Sequence, residues 1–281
     1  MKKYRRISAV MAMVLCFTMT FSSVAFAKDK TYLALGDDLT AKGMTTVLGF
    51  FGVSDINDCE VIYVTNKDEH KYLGDYVDAA QIGNQALSCV MIQETSDDDI
   101  DIELHNINYC TEDMYKNALE TAGVKGADVV VAGPYPISGT AALVGTIKAY
   151  EKMSGKRVSD KVVEAAVDEM TTTGDIGEEV GDKDGVAEII DEVKEKMAEN
   201  PDMSEADIIK AIKDAASDVG IFLSDENVQR IKDVITKLKG LNIDWAGLFN
   251  KAKEIGQKGY DAAKKVGLFD KIKEWIRELF K

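Results

Sequence analysis

The chain has 281 residues, 34 basic and 49 acidic side chains, and a formal charge of −15. Its first 27 residues hold four of the positive charges and no acid, so 30 basic against 49 acidic groups leave −19 on the rest. A chain so acidic repels phosphate, which argues against nucleic-acid binding, and polyanionic wall polymers are poor partners unless a cation bridges the two.

At the N-terminus Lys2, Lys3, Arg5 and Arg6 precede an apolar stretch from Ile7 to about Phe21. Ala25-Phe26-Ala27 then puts small side chains at the two positions a signal peptidase reads. The apolar run is shorter than the roughly 20 residues that span a bilayer. Cys16 lacks the preceding small residue of a lipoprotein anchor. The expectation is a signal peptide over residues 1–27 and a mature protein that is secreted or held in the cell envelope. Cys59, Cys89 and Cys110 remain, an odd count that permits one pair and a spare thiol. Their spacing matches no zinc pattern and only His70 and His105 offer imidazoles, so no metal or cofactor is expected. They read as small apolar residues in or beside strands.

Residues 28–155 alternate strand and helix patterns. Strands are predicted at Thr31–Leu35, Glu60–Thr65, Ala86–Glu94, Ile100–Tyr109 and Asp128–Ala132. The third and fourth are joined by Ser96-Asp97-Asp98-Asp99, which suits a hairpin. Helices are predicted at Thr40–Phe51, Thr111–Ala122 and Gly139–Met153, with a polar turn or short helix at Asn66–Leu73. Residues 156–281 carry no strand signal. Stripes such as Val186, Ile189, Ile190, Val193 and Met197 mark helices that must bury one face, and a bundle is expected. Ser204 and Asp207 form a capping box, Ser224 opens the next helix, Gly240 stops it, and Asp244 caps another. The glycine- and acid-rich stretch from Thr171 to Gly185 reads as a solvated joint. The fold class is therefore α+β: an N-terminal α/β sandwich with a mixed sheet, followed by an all-α region.

The last fifteen residues form an amphipathic pattern. Leu268, Ile272, Trp275, Ile276 and Leu279 share a face that Phe269 and Phe280 widen. Such a helix either lies in a membrane interface or docks on the bundle or a protein partner. Its nearly balanced polar face makes attraction to anionic lipid weak.

Two strand-to-helix junctions carry the chemical candidates. Gly36-Asp37-Asp38-Leu39 resembles the first block of serine esterases that begin Gly-Asp-Ser-Leu, but Asp38 stands where those enzymes have their nucleophile. Both histidines precede residue 106, so the late Asp–His partner is missing too. A plain turn with Thr40 as N-cap is the simpler reading. The second junction, Gly133 to Thr140, reads as a proline-stiffened turn capped by Ser138. Alternatively it is an anion- or sugar-binding loop built on Pro134, Tyr135, Ser138, Gly139 and Thr140. A carboxylate pair such as Asp37 with Glu69 would serve glycoside hydrolysis if its separation in a cleft were right. Asp38 and Asn66 complete the candidate list.

Several separated blocks agree in order with one family. They include Gly36-Asp37 with Leu39, Phe51-Gly52-Val53, Val64-Thr65-Asn66 with Glu69, and Tyr72-Leu73. They continue through Ser138-Gly139-Thr140-Ala141-Ala142-Leu143, Lys148-Ala149-Tyr150-Glu151 and Thr173-Gly174. On these residues the chain resembles the YpuA-like family of secreted proteins of unknown function (domain of unknown function 1002), found mainly in Gram-positive Firmicutes. The resemblance implies compartment and architecture but no chemistry. The leading expectation is a non-enzymatic binding module with an unknown envelope or extracellular ligand. Its alternatives are a wall-directed hydrolase using carboxylates and a peripheral membrane protein held by the C-terminal helix.

Overall fold

The structure is a computed structural model that describes residues 30–241 and 243, except 78, 97 and 98. The expected signal peptide, the helix opening at Asp244 and the amphipathic segment 267–281 lie outside the described residues.

Five strands form one mixed sheet: β1 (Thr31–Gly36), β2 (Glu60–Val64), β3 (Cys89–Glu94), β4 (Ile100–Ile107) and β5 (Ala127–Ile137), in the order β2-β1-β3-β5-β4. β1 and β2 pair in parallel, as do β4 and β5, while β3 runs antiparallel to β1 and β5. The expected hairpin between β3 and β4 is not formed, because β5 lies between them. Hydrophobic patterning explains the order. Val129, Val130 and Val131 are apolar in succession and buried, as an interior strand requires. β4 alternates Ile100, Ile102 and Leu104 with Asp101, Glu103 and His105, and takes the edge.

Period-two burial divides the sheet between two cores. Leu33 and Leu35 face Val47 and Phe51 at helix α1 (Ala41–Phe50). Tyr32 and Ala34 face Leu143 and Ile147 of α5 (Thr140–Ser154), in the core that also takes Met114 and Leu119 of α4 (Glu112–Thr121). Helix α2 (Asn66–Leu73) and the short α3 (Ala79–Ile82) follow β2. Thr40 caps α1 through Gly43 N–H at 3.1 Å, and Thr111 caps α4 through Met114 N–H at 3.3 Å.

The remaining helices are α6 (Asp160–Val180), α7 (Lys183–Glu199), α8 (Glu205–Asp218) and α9 (Asp225–Lys239). Ser204 and Asp207 form the expected capping box on α8, and Ser224 caps α9. Helix α6 links the second of these cores to a third. Val163, Ala166 and Met170 pack with the sheet layer, whereas Ala165 and Ile176 join Ile189, Ile212 and Ile231 in a third cluster. The expected joint over Thr171–Gly185 is mostly helix: α6 runs unbroken to Val180 and the chain turns only at Gly181 and Asp182. Gly174 is there for close approach, since a Cβ would lie 2.4 Å from Tyr109 Oη. Asp175, Glu178 and Glu179 of that stretch pair with cations, and Asp182 caps by accepting from Gly185 N–H at 2.9 Å.

A fully buried ion pair joins the two layers. Lys194 Nζ lies 2.9 Å from Glu169 Oε1 and donates to Asn117 O at 3.1 Å, while Thr121 Oγ1 donates to Glu169 Oε2 at 2.5 Å. Asn117 Nδ2 in turn donates to Ala187 O at 2.8 Å. Burial raises the Glu169 carboxyl and the Lys194 ammonium opposes it. Removing one partner leaves a charge or its protonation cost in the interior. Lys194→Met is therefore expected to destabilise by ~3–5 kcal/mol, and Lys194→Met with Glu169→Leu to recover much of that loss. Urea unfolding of the three proteins checks it, and equal losses for the single and double variants would refute the pairing.

Candidate functional site

The sheet topology brings one set of termini to one edge. The C-terminal ends of β1, β2, β4 and β5 and the N-terminal end of β3 all open there, as do the starts of α1, α2 and α5. In open α/β sheets this edge is where ligands bind. A cleft of about 440 Å³ occupies it, bounded by the sheet layer on one side and α6 on the other.

Each wall comes from a different element. Helix α2 supplies Glu69 and Leu73, and the segment leading to β3 supplies Tyr76, Gln85 and Ser88. Ser138, Thr140 and Ala141 come from the start of α5, Tyr109 follows β4, and α6 contributes Thr171, Asp175 and Glu178. Glu69 is 2% exposed and accepts from Asn66 Nδ2 at 3.0 Å. Burial pushes its carboxyl up to about 7, against the Asn66 bond and His70, with Asp38 and Asp68 adding to the rise. Asn66 Nδ2 also reaches Gly83 O at 3.3 Å, and His70 Nε2 meets the same carbonyl at 3.0 Å. These bonds pin the segment that forms the Gln85–Ser88 lip.

The wall on α6 is tied down as well. Tyr109 Oη donates to Asp175 Oδ1 at 2.8 Å, and Arg230 of α9 bridges Asp175 and Glu179 at 3.3 and 2.9 Å. Burial pushes the Tyr109 phenol far above its ordinary value, helped by Asp175. Lys183 pairs with Glu178 at 3.1 Å and donates to Tyr109 O at 2.8 Å. Lys237 donates to Tyr76 Oη at 2.6 Å and to Asp168 at 3.0 Å, so α9 steadies two walls.

The sequence-derived candidates divide. Ser138, Thr140 and Glu69 line the cleft, and Asn66 holds Glu69. Asp38 is structural: its Oδ2 accepts from Ala86 N–H at 2.8 Å. Gly36 permits that approach, because a Cβ there would lie 2.2 Å from Ala86 O. Asp37 is exposed, its N–H bonded to Val64 O at 3.0 Å, and it is outside the lining, so the structure does not bring it to the cleft with Glu69. Pro134 and Tyr135 belong to β5, not to a turn, and Tyr135 is 53% exposed. β5 outlasts β3, whose pairing stops at Ala132, so the two prolines fall where β5 has lost its β3 neighbour. Ser138 does not cap α5. The N-cap is Gly139 at φ 92°, a conformation glycine tolerates, and no side chain bonds the first turn.

Sequence reasoning missed Tyr76, Gln85, Tyr109, Thr171 and Asp175. The one signal for the last two was the run Thr171-Thr172-Thr173-Gly174-Asp175, polar residues and a glycine inside an otherwise apolar stripe. The thiols are set apart from any nucleophilic role: Cys89 and Cys110 are buried, unbridged and pushed up to about 12 by burial. Among the described residues no three His, Cys, Asp or Glu side chains gather to hold a metal ion. No helix among them is long and apolar enough to cross a membrane.

Comparison with known proteins follows the same lines. The family described as "Protein of unknown function (DUF1002)" matches residues 35–277. The chain is 41% identical over 216 residues to "Uncharacterized protein YpuA" of Bacillus subtilis (strain 168), covering 76% of this chain and 73% of that protein. No solved structure matches.

The elevated Glu69 carboxyl sets a sign for stability. Between its unfolded and folded values the native state holds the extra proton, so stability falls as pH rises from about 4.5 through about 7. Glu69→Gln cannot lose that proton. Its stability relative to the parent should therefore increase from pH 5 to pH 8, as urea titrations at each pH would report. A constant difference across that window would contradict the assignment.

Proposed function

The chain belongs to the DUF1002 family of proteins of unknown function, and we propose that it is exported and captures a small polar ligand in the cleft between sheet and α6. The observation that carries this reading is the cleft itself. It lies where an α/β sheet presents helix starts and backbone donors, and Leu73, Ile82 and Ile137 alternate with Ser88, Ser138 and Thr140 along its lining. Its volume of about 440 Å³ suits a sugar or a short peptide. The first turn of α5 lacks a side-chain cap, which leaves Thr140 and Ala141 backbone N–H groups for ligand oxygens.

Binding is favoured over catalysis because two of the carboxylates in the lining are held in fixed bonds. Asp175 is bound by Tyr109 and Arg230, and Glu178 by Lys183. One observation favours the wall-directed hydrolase as a second reading: Glu69 keeps its proton to about pH 7, as a general acid would.

Two measurements test the proposal. The intact mass of protein recovered from the culture medium should begin at Lys28, and a species retaining Met1 would refute export. Native mass spectrometry of protein loaded with soluble surface extract should show a retained small molecule. Ala141→Trp, which fills the cleft, should lose it at least tenfold. Equal retention would refute the cleft, and release of cleaved products would favour the hydrolase.

A further inference from the structure

Among the described residues three carboxylates line the cleft, Glu69, Asp175 and Glu178, and no lysine, arginine or histidine does. Two of the three already face cations, Arg230 at 3.3 Å from Asp175 and Lys183 at 3.1 Å from Glu178. Glu69 differs. It is buried, and the bond it accepts comes from a neutral amide, Asn66 Nδ2 at 3.0 Å. Among the charged groups around it His70 opposes the rise of its carboxyl, and burial outweighs it. Asp38 and Asp68 are of the same sign. Lys148 of α5 is committed to Asp68 at 2.7 Å, and Lys71 to Asp160 of α6 at 2.9 Å. His70 Nε2 is turned to Gly83 O, and the Lys237 ammonium of α9 sits on Tyr76 and Asp168.

A carboxylate buried beside a cleft without a bonded cation is a half-built ion pair. Its ionised form is costly alone and becomes favourable when an opposite charge is brought within about 4 Å. Resting on the binding reading above, we propose that the ligand of this cleft carries an ammonium group, which seats against Glu69 and completes that pair. The apolar residues Leu73, Ile82 and Ile137 cover the ligand's carbon skeleton. Its oxygen atoms turn to the α5 start, where the helix dipole favours negative charge and repels the amine. The ligand is thus an amine with an oxygen acceptor a few ångströms away, the chemistry of amino acids, short peptides and amino sugars.

The pair forms only with Glu69 ionised, so binding below pH 7 releases a proton. With the free carboxyl at about 7, affinity for an amine that stays protonated, such as a lysyl side chain, should rise about 30-fold from pH 5.5 to pH 8. An α-amine, which itself loses its proton near pH 8, should bind best near neutral pH and less tightly above.

Matched probes test the class. Glucosamine against N-acetylglucosamine, and a lysyl dipeptide against its N-acetylated form, differ in charge far more than in shape. Ligand-observed NMR with the protein lacking residues 1–27, in parent, Glu69→Gln and Ala141→Trp forms, measures each affinity. The expected result is amines bound at least tenfold more tightly than acetylated partners, with the preference lost in Glu69→Gln and all binding lost in Ala141→Trp. Calorimetry of the parent in two buffers of different ionisation enthalpy reads proton release without any variant. Neutral members bound as tightly as amines, or binding of the lysyl dipeptide unchanged from pH 5.5 to pH 7, overturns the ammonium seat and leaves the cleft standing. Absence of binding by every probe, or binding that Ala141→Trp does not affect, overturns the cleft and the seat together.

Discussion

The arrangement depends on one buried contact, Lys194 with Glu169, in the seam where α4, α6 and α7 meet. A charge pair in the interior is tolerated only in a narrow geometry, because every ångström of separation uncovers desolvation cost. Thr121 and Asn117 hold the pair from the sheet side. Helix α6 is thereby locked onto α4, and α4 onto the sheet through Met114 and Leu119. Thr171 and Asp175 lie within two turns of Glu169 on that helix, so the position of the far cleft wall follows from the ion pair.

A second layer of contacts refines it. Arg230 and Lys237 reach from α9 to Asp175, Asp168 and Tyr76, and Gly174 lets the Tyr109 ring press against the α6 backbone. The cleft is therefore assembled from segments more than a hundred residues apart, Glu69 to Asp175, and steadied by a helix farther still. Its electrostatics follow from the same contacts. The chain is strongly acidic, yet most carboxylates near the cleft have a cation or a cap, and Glu69 is distinguished by lacking one. Burial in a low-dielectric setting turns that deficit into a proton held near neutral pH.

Local rules were legible where the physics is local. Thr40, Thr111, Ser204 and Ser224 cap the helices they precede, because a hydroxyl and an amide two or three residues on meet whatever the fold does. Glycines were read less well. Gly174 suggested flexibility and instead marks an aromatic ring against a helix, a contact whose partner lies sixty-five positions earlier in the chain. The hairpin expectation failed for a similar reason: an acidic connection between two strands does not reveal that a third, more apolar strand will enter between them. The prolines after Gly133 suggested a turn, whereas they extend β5 past the end of β3, where one side needs no donor.

By itself the sequence determined most of the helices and strands, the α+β class, the family, and the acidic balance that argues against phosphate polymers. The elements, the class and the charge follow from periodicity, capping and composition, which are properties of neighbours along the chain, and the family from a resemblance carried by separated motif blocks. It also singled out Ser138 and Thr140, since strand-to-helix junctions are where free backbone donors collect, and Glu69 as one member of a carboxylate pair. Only the tertiary structure decided that these three share a cleft with Tyr109 and Asp175, and that Asp37 and Tyr135 do not. Strand order, helix docking and the solvation of one carboxylate are set by contacts between distant residues, and no spacing along the chain encodes how much water each side chain keeps.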